Sequence, residues 1–224
     1  MAKSVATRTA AVLGATGLVG ERVTRLLLAD ARWARVAAIG RRMPPIADPA
    51  LVRVEGDLLA DGAWADSLAV DDVFCCLGTT IAKAGSEAAF RAVDHDAVVR
   101  AATAARQRGA AQLLVVSSLG ADPGSRVFYS RVKGEMEAAV AALGFPCCQV
   151  FRPSLLLGPR AASRLGERVA ALLMRPLGPL LGRYRPIHRD AVAAAMVRIA
   201  AAAPAGLHVY ESDRIAAIAA VVKP

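Results

Sequence analysis

Short apolar runs alternate along the chain with longer stretches whose apolar residues recur every three or four positions. The runs are Thr9–Leu13, Val36–Ile39, Leu51–Val54, Asp72–Leu77, Gln112–Ser117, Cys147–Phe151 and Gly206–Tyr210. Their shortness and near-continuous apolar character fit strands buried on both faces. Between them, Val19–Leu28, Glu87–Arg108, Phe128–Leu143 and Arg189–Ala202 carry the spacing of amphipathic helices. This alternation predicts a parallel sheet covered by helices on both sides. The right-handed crossover rule then gives a doubly wound α/β sheet, the Rossmann arrangement.

One segment breaks the rhythm. Gly158–His188 contains Pro159, Pro176, Pro179 and Pro186, with glycines at 166, 178 and 182. It predicts a short helix within an irregular connection. Residues 154–190 would then form a small substrate or lid region inside a single domain spanning 1–224. The length of 224 residues suits one such domain.

Composition narrows the class. A hydrophobic content of 55% excludes global disorder. No apolar run reaches the roughly 20 residues needed to span a bilayer, because Arg175, Pro176 and Pro179 interrupt Val169–Leu181. Met1–Thr9 lacks a signal-peptide core, so a cytoplasmic address without membrane contact is expected. The formal net charge is +9, from 28 basic and 19 acidic residues. The arginines are scattered, and no dense basic run or basic-aromatic motif points to nucleic acid. A phosphate-rich ligand accounts for them better. The cysteines stand as two adjacent pairs, Cys75–Cys76 and Cys147–Cys148, inside strand-like runs. Neighbours on a strand point to opposite faces, so neither pair suits a metal, and none is expected.

The chemistry begins at Ala11-Val-Leu-Gly-Ala-Thr-Gly-Leu-Val-Gly20, between the first strand and the first helix. Gly14 permits a tight turn, Gly17 lets a pyrophosphate approach the backbone, and Gly20 lets the helix pack close. The helix N-terminus supplies free N–H groups to the phosphates. The second strand ends Ile39-Gly-Arg41-Arg42, where NAD-binding folds usually place an acid for the ribose 2′-OH. Two guanidinium groups suit a 2′-phosphate, so the expected cofactor is NADP(H). Asp57, after the third strand, is a candidate acceptor for the adenine amino group.

A second constellation lies after the fifth strand. Tyr129 and Lys133 are four residues apart and share a helical face. A lysine beside a phenol favours the phenolate, which lets tyrosine exchange a proton with a carbonyl or alcohol oxygen. The chain has 24 arginines and four lysines, so a lysine at 133 is unlike its usual surface cation. Ser117 and Ser118 end the fifth strand, where ligands bind in such sheets. A hydroxyl there can hydrogen-bond the reacting oxygen. Ser118 is the first candidate and Ser117 the second.

Together these residues resemble the short-chain dehydrogenase/reductase superfamily. A closer likeness rests on Phe74-Cys-Cys-Leu-Gly-Thr-Thr80, Lys83-Ala-Gly85, Val93-Asp94, Ser117-Ser118 with Gly120-Ala-Asp122, and Val132-Lys-Gly-Glu135. These resemble the Tat-interacting-protein-like oxidoreductases, an atypical branch that binds NADPH. The resemblance implies cofactor contacts at Thr16, Gly17, Leu18 and Val19 in the glycine turn, and at Arg41 and Arg42. It further implies contacts at Leu77, Gly78, Tyr129, Lys133, Leu156 and Arg164. Asp94 departs from the pattern, standing where many dehydrogenases have an asparagine. A carboxylate cannot donate a hydrogen bond as an amide does.

Two functions follow as expectations. In the first, an NADPH-dependent reductase transfers hydride to a small carbonyl compound, with Tyr129 donating the proton, Lys133 tuning it and Ser118 orienting the oxygen. In the second, motivated by Asp94, the chain is an NADPH-binding sensor or regulatory partner that catalyses little. The substrate is unspecified, and a homodimer or a regulatory protein partner is left open.

Overall fold

The computed structural model describes residues 7–158 and 182–221. Each apolar run forms a strand. These are β1 (Arg8–Leu13), β2 (Trp33–Gly40), β3 (Leu51–Glu55), β4 (Asp72–Cys75), β5 (Gln112–Val116) and β6 (Cys147–Arg152). Two short strands follow, β7 (Leu156–Leu157) and β8 (Ile187–His188), and β9 (Gly206–Glu211) completes the set. Seven of them make one parallel sheet in the order β3-β2-β1-β4-β5-β6-β9. The chain runs outward from β1 to β3, then returns to the far side of β1 as β4. That reversal opens a crevice at the carboxyl ends of β1 and β4.

Both faces of the sheet are covered. On one face Ala10, Val12, Phe74, Leu114 and Phe151 pack under α1 (Leu18–Leu28), α6 (Arg189–Ala202) and α7 (Ser212–Ala220). On the other, Ala11, Leu13, Val73, Cys75, Leu113, Val115 and Val150 pack under α4 (Ala97–Gln107) and α5 (Phe128–Ala141). A 3₁₀ turn at Ala63–Leu68 adds Trp64 and Leu68 to this second layer. The strands read as unbroken apolar runs because alternate side chains enter opposite cores. Two short helices, α2 (Ile81–Ala84) and α3 (Glu87–Arg91), lead into α4.

The helix predicted over Glu87–Arg108 is not uniform. A π turn at Ala92–Asp96 joins α3 to α4. Such a turn inserts one residue into the helical register, and the apolar periodicity gives no sign of it. It carries Asp94, which is fully buried.

A polar cluster ties the amino ends of the strands together. Asp72 is fully buried on β4, ion-paired with Arg8 of β1, and accepts the indole N–H of Trp33 at 2.7 Å. The Arg8 guanidinium also donates to Gln112 Oε1 at 3.1 Å and to the Ala200 carbonyl at 2.7 Å. Burial outweighs these partners and pushes the Asp72 carboxyl up to about 6.

Of the irregular connection, the structure describes the two ends. β7 pairs in parallel with β8, Leu156 opposite Ile187 and Leu157 opposite His188. Ser154 Oγ donates to the Arg185 carbonyl at 2.5 Å, closing the base of the excursion. The short helix expected within it, and Arg164, lie outside the described residues. Among the described residues no helix is long and apolar enough to cross a membrane, and no cluster of side chains could hold a metal.

Candidate cofactor and active site

The site starts where β1 ends. Gly14 has φ +78°, and a Cβ there would lie 2.7 Å from the Cys76 carbonyl oxygen. Glycine is required twice over, for the left-handed turn and for the contact with the end of β4. A Cβ on Gly20 would come within 2.2 Å of the Gly14 carbonyl oxygen, so its absence lets α1 press onto the turn. Gly17 donates its N–H back to the Gly14 carbonyl at 2.9 Å and forms the N-cap of α1. No side chain caps this helix. Its first N–H groups and the positive end of its dipole are therefore available to an anion.

From this turn an open groove of about 1520 Å³ crosses the carboxyl edge of the sheet. At one end Arg41 and Arg42 follow β2, exposed and without a carboxylate partner among the described residues. Asp57 lines the same end, where its Oδ1 accepts the Leu59 N–H at 3.0 Å and shapes the turn after β3. Leu77 and Gly78 line the middle, and Leu156 the opposite wall. Thr16, Gly17, Leu18 and Val19 form the floor beside the turn. Gly20 lies behind the groove, in its packing role. An uncapped helix end, a cradle that a Cβ would fill, and two guanidinium groups with no carboxylate partner among the described residues fit a nicotinamide dinucleotide.

Tyr129 and Lys133 reach the groove from the first turns of α5. Two contacts with the α3–α4 helix hold them. The Tyr129 ring packs against buried Phe90, with centroids 5.3 Å apart. The Lys133 ammonium lies 2.7 Å from Asp94 Oδ1, with the two side chains 4% and 1% exposed. The ammonium approaches off the axis of a hydrogen bond, so Oδ1 retains unused acceptor capacity. Asp94 Oδ2 accepts the Thr79 N–H at 2.8 Å. The glycine at 78 leaves room beside the pair: a Cβ there would sit 3.5 Å from Asp94 Oδ1 and 4.0 Å from Lys133 Nζ. Gly134 lets α5 come this close, since a Cβ on it would fall 2.2 Å from the Asp122 and Pro123 backbone.

The two strand-end serines differ. Ser117 is 5% exposed, lines the groove, and its Oγ has no hydrogen-bond partner among the described residues. It continues the Leu113–Val115 side of β5, the side that α5 covers. Ser118 also lines the groove, but its Oγ donates to the neighbouring Leu119 carbonyl at 3.2 Å. Beyond them Arg152 is held by Glu137 through bonds of 3.0, 3.1 and 2.5 Å. Arg183 meets Glu211 at 3.1 Å at the groove's mouth.

Of the four cysteines, Cys76 lines the groove beside the glycine turn. All four are free thiols. Cys75 and Cys76 enter opposite cores, and burial pushes Cys75 up to about 11 and Cys76 further above its usual value.

The family described as NAD(P)H-binding matches residues 14–203 of this chain. The chain belongs to the NAD(P)H-binding family. Among its relatives, "Protein HTATIP2" of Rattus norvegicus is 38% identical over 163 residues, covering 71% of this chain and 67% of that protein. "Protein fmp52, mitochondrial" of Emericella nidulans is 37% identical over 175 residues, 75% of each chain. The Tat-interacting-protein-like likeness of the sequence thus places the chain in the atypical short-chain dehydrogenase/reductase branch of the NAD(P)H-binding fold. Among solved structures, MoeE5 in complex with UDP-glucose and NAD superposes with a TM-score of 0.69 at 18% identity, covering 95% of this chain and 81% of that one. WbmH of Bordetella bronchiseptica in complex with NAD+ gives 0.68 at 17%, covering 92% and 76%. At such identities these two establish the fold alone.

Three features of the site escape sequence reasoning. Asp94 stands out as a departure, but nothing in the chain's pattern names Lys133 as its partner. The Thr79 amide is a backbone group and leaves no mark in composition. The Arg152–Glu137 pair joins residues of two elements, and only the fold brings them together.

Proposed function

We propose that the chain is an NADP(H)-dependent oxidoreductase acting on a small carbonyl compound. The observation that carries this reading is the convergence of Tyr129, Lys133 and the Ser117 hydroxyl at one end of the groove that begins at the glycine turn. The α1 N-terminus would bind the pyrophosphate, and Arg41 and Arg42 the 2′-phosphate. The bound cofactor supplies the hydride. Lys133 holds the nicotinamide ribose, with its ammonium on the same face of α5 as the Tyr129 phenol. Tyr129 donates its proton to the carbonyl oxygen as negative charge develops there. Ser117, buried and unpartnered, orients that oxygen in preference to Ser118.

Two experiments test these roles. Fluorescence titration should give a clear preference for NADPH over NADH; a preference for NADH removes the assignment of Arg41 and Arg42. In a screen of carbonyl substrates, Tyr129→Phe should lose at least about a hundredfold in turnover, within the range for general acid catalysis, with NADPH binding retained. Unchanged turnover in that variant would sink the mechanism.

The alternative is an NADP(H)-binding regulator with little turnover. It is favoured by the carboxylate at Asp94, which compensates the charge of Lys133. NADPH binding without activity on any carbonyl class would decide for it. A cytoplasmic address belongs to either reading. The fungal relatives are named as mitochondrial proteins, and subcellular fractionation separates the two addresses.

A further inference from the structure

Asp94 joins three parts of the site that the chain supplies separately. It sits in the π turn between α3 and α4, fully buried. One oxygen faces the Lys133 ammonium of α5 at 2.7 Å, and the other accepts the Thr79 amide at 2.8 Å. Thr79 belongs to the loop after β4, which lines the middle of the groove. The π turn is the local cost of this arrangement, because it breaks the helical register at the residue that reaches both partners. Two donors on two sides require two acceptor oxygens. A carboxylate has them, whereas an amide would turn its NH₂ toward either the ammonium or the Thr79 N–H.

We infer that Asp94 is a positioning residue, which fixes the Lys133 ammonium and docks the Leu77–Thr79 loop against α5 so that both present themselves to the cofactor. The inference rests on the oxidoreductase reading, in which Lys133 faces the nicotinamide ribose. Asp94 also has an electrostatic role. With the carboxylate beside it the ammonium is compensated, so the pair carries no net charge next to the nicotinamide. The oxidised nicotinamide ring is a cation and the reduced ring is neutral. Removing the carboxylate charge therefore penalises the oxidised cofactor more than the reduced one.

Three measurements on the full chain test this with Asp94→Asn, Lys133→Met and the double variant. In Asp94→Asn, amide exchange across residues 77–80 should accelerate at least tenfold, and the Kd for NADPH should rise about tenfold. The ratio of the NADP+ Kd to the NADPH Kd should also rise severalfold, which a purely structural role would not produce. The losses in NADPH binding should be less than additive in the double variant, because part of the Asp94 effect passes through Lys133. Its Tm should recover toward that of the unsubstituted protein, since no buried charge is left unpaired. Additive losses in binding, or an unchanged cofactor ratio together with unchanged exchange at 77–80, would overturn the inference. Failure of the unsubstituted protein to bind NADPH, with the Tm coupling and the exchange change intact, would instead overturn the oxidoreductase reading and uphold the docking role of Asp94.

Discussion

Single residues decide which atoms face the groove. Ser117 and Ser118 are adjacent and chemically identical, and strand geometry separates them. Ser117 falls on the α5 side of the sheet with its hydroxyl buried and unpartnered, while Ser118 commits its hydroxyl to the Leu119 carbonyl. Ser117→Ala should therefore reduce turnover by about a hundredfold, comparable to loss of one oxyanion donor. Ser118→Ala should change it by less than about threefold. Steady-state kinetics on one substrate would check both, and the reverse order of effects would restore Ser118 to the role. From sequence, Ser118 ranks first and Ser117 second, with both hydroxyls assigned to the strand end and the facing of neither known. The facing of a residue past the last ladder pair depends on where the strand stops, and a pattern of apolar positions locates that point only approximately.

At the scale of elements, α5 matters most, because it carries Tyr129 and Lys133. Its approach to the Asp122–Pro123 segment depends on Gly134. An alanine there gains about 1 kcal/mol in helix propensity. Its Cβ would meet backbone atoms at 2.2 Å, which cannot rotate away, and overpacking of this kind costs about 1–3 kcal/mol or more. The clash should win, so Gly134→Ala should lower the stability measured by urea denaturation and weaken NADPH binding together. Much of this level was legible beforehand. The seven main strands fall on the seven apolar runs because both faces are buried, and the tight turn at Gly14 and the close helix packing at Gly20 follow the glycine spacing. The π turn was not legible, since Phe90, Asp94 and Ala97 suit an ordinary helix equally well. The partner of its buried carboxylate stands 39 residues further along the chain, the Lys133 ammonium.

At the scale of the whole molecule, the two ends of the sheet divide the work. The carboxyl ends carry the groove, and the amino ends carry the buried Arg8–Asp72–Trp33–Gln112 cluster. Asp72 titrates near 6 in the folded protein against a usual value of 3.8. A raised carboxyl binds its proton more tightly when folded. Its contribution to stability is therefore complete below about pH 4 and is lost as the pH rises through about 6. The tighter proton binding is worth at most about 3 kcal/mol. Asp72→Asn should abolish this slope, so thermal melts at pH 4 to 7 should show the unsubstituted protein losing stability relative to the variant as pH rises. Cofactor binding in that variant should be unaffected, since the cluster is remote from the groove. The free thiols offer a way to watch the intervening sheet. Cys75 lies on central β4 and Cys148 on β6, both withdrawn from reagents by burial, while Cys147 is only half-buried. An alkylating reagent should therefore modify Cys147 early and Cys75 only when the middle of the sheet parts. The natural cysteines thus form a chemical clock, in which the delay between Cys147 and Cys75 reports opening of the sheet's interior without any introduced label.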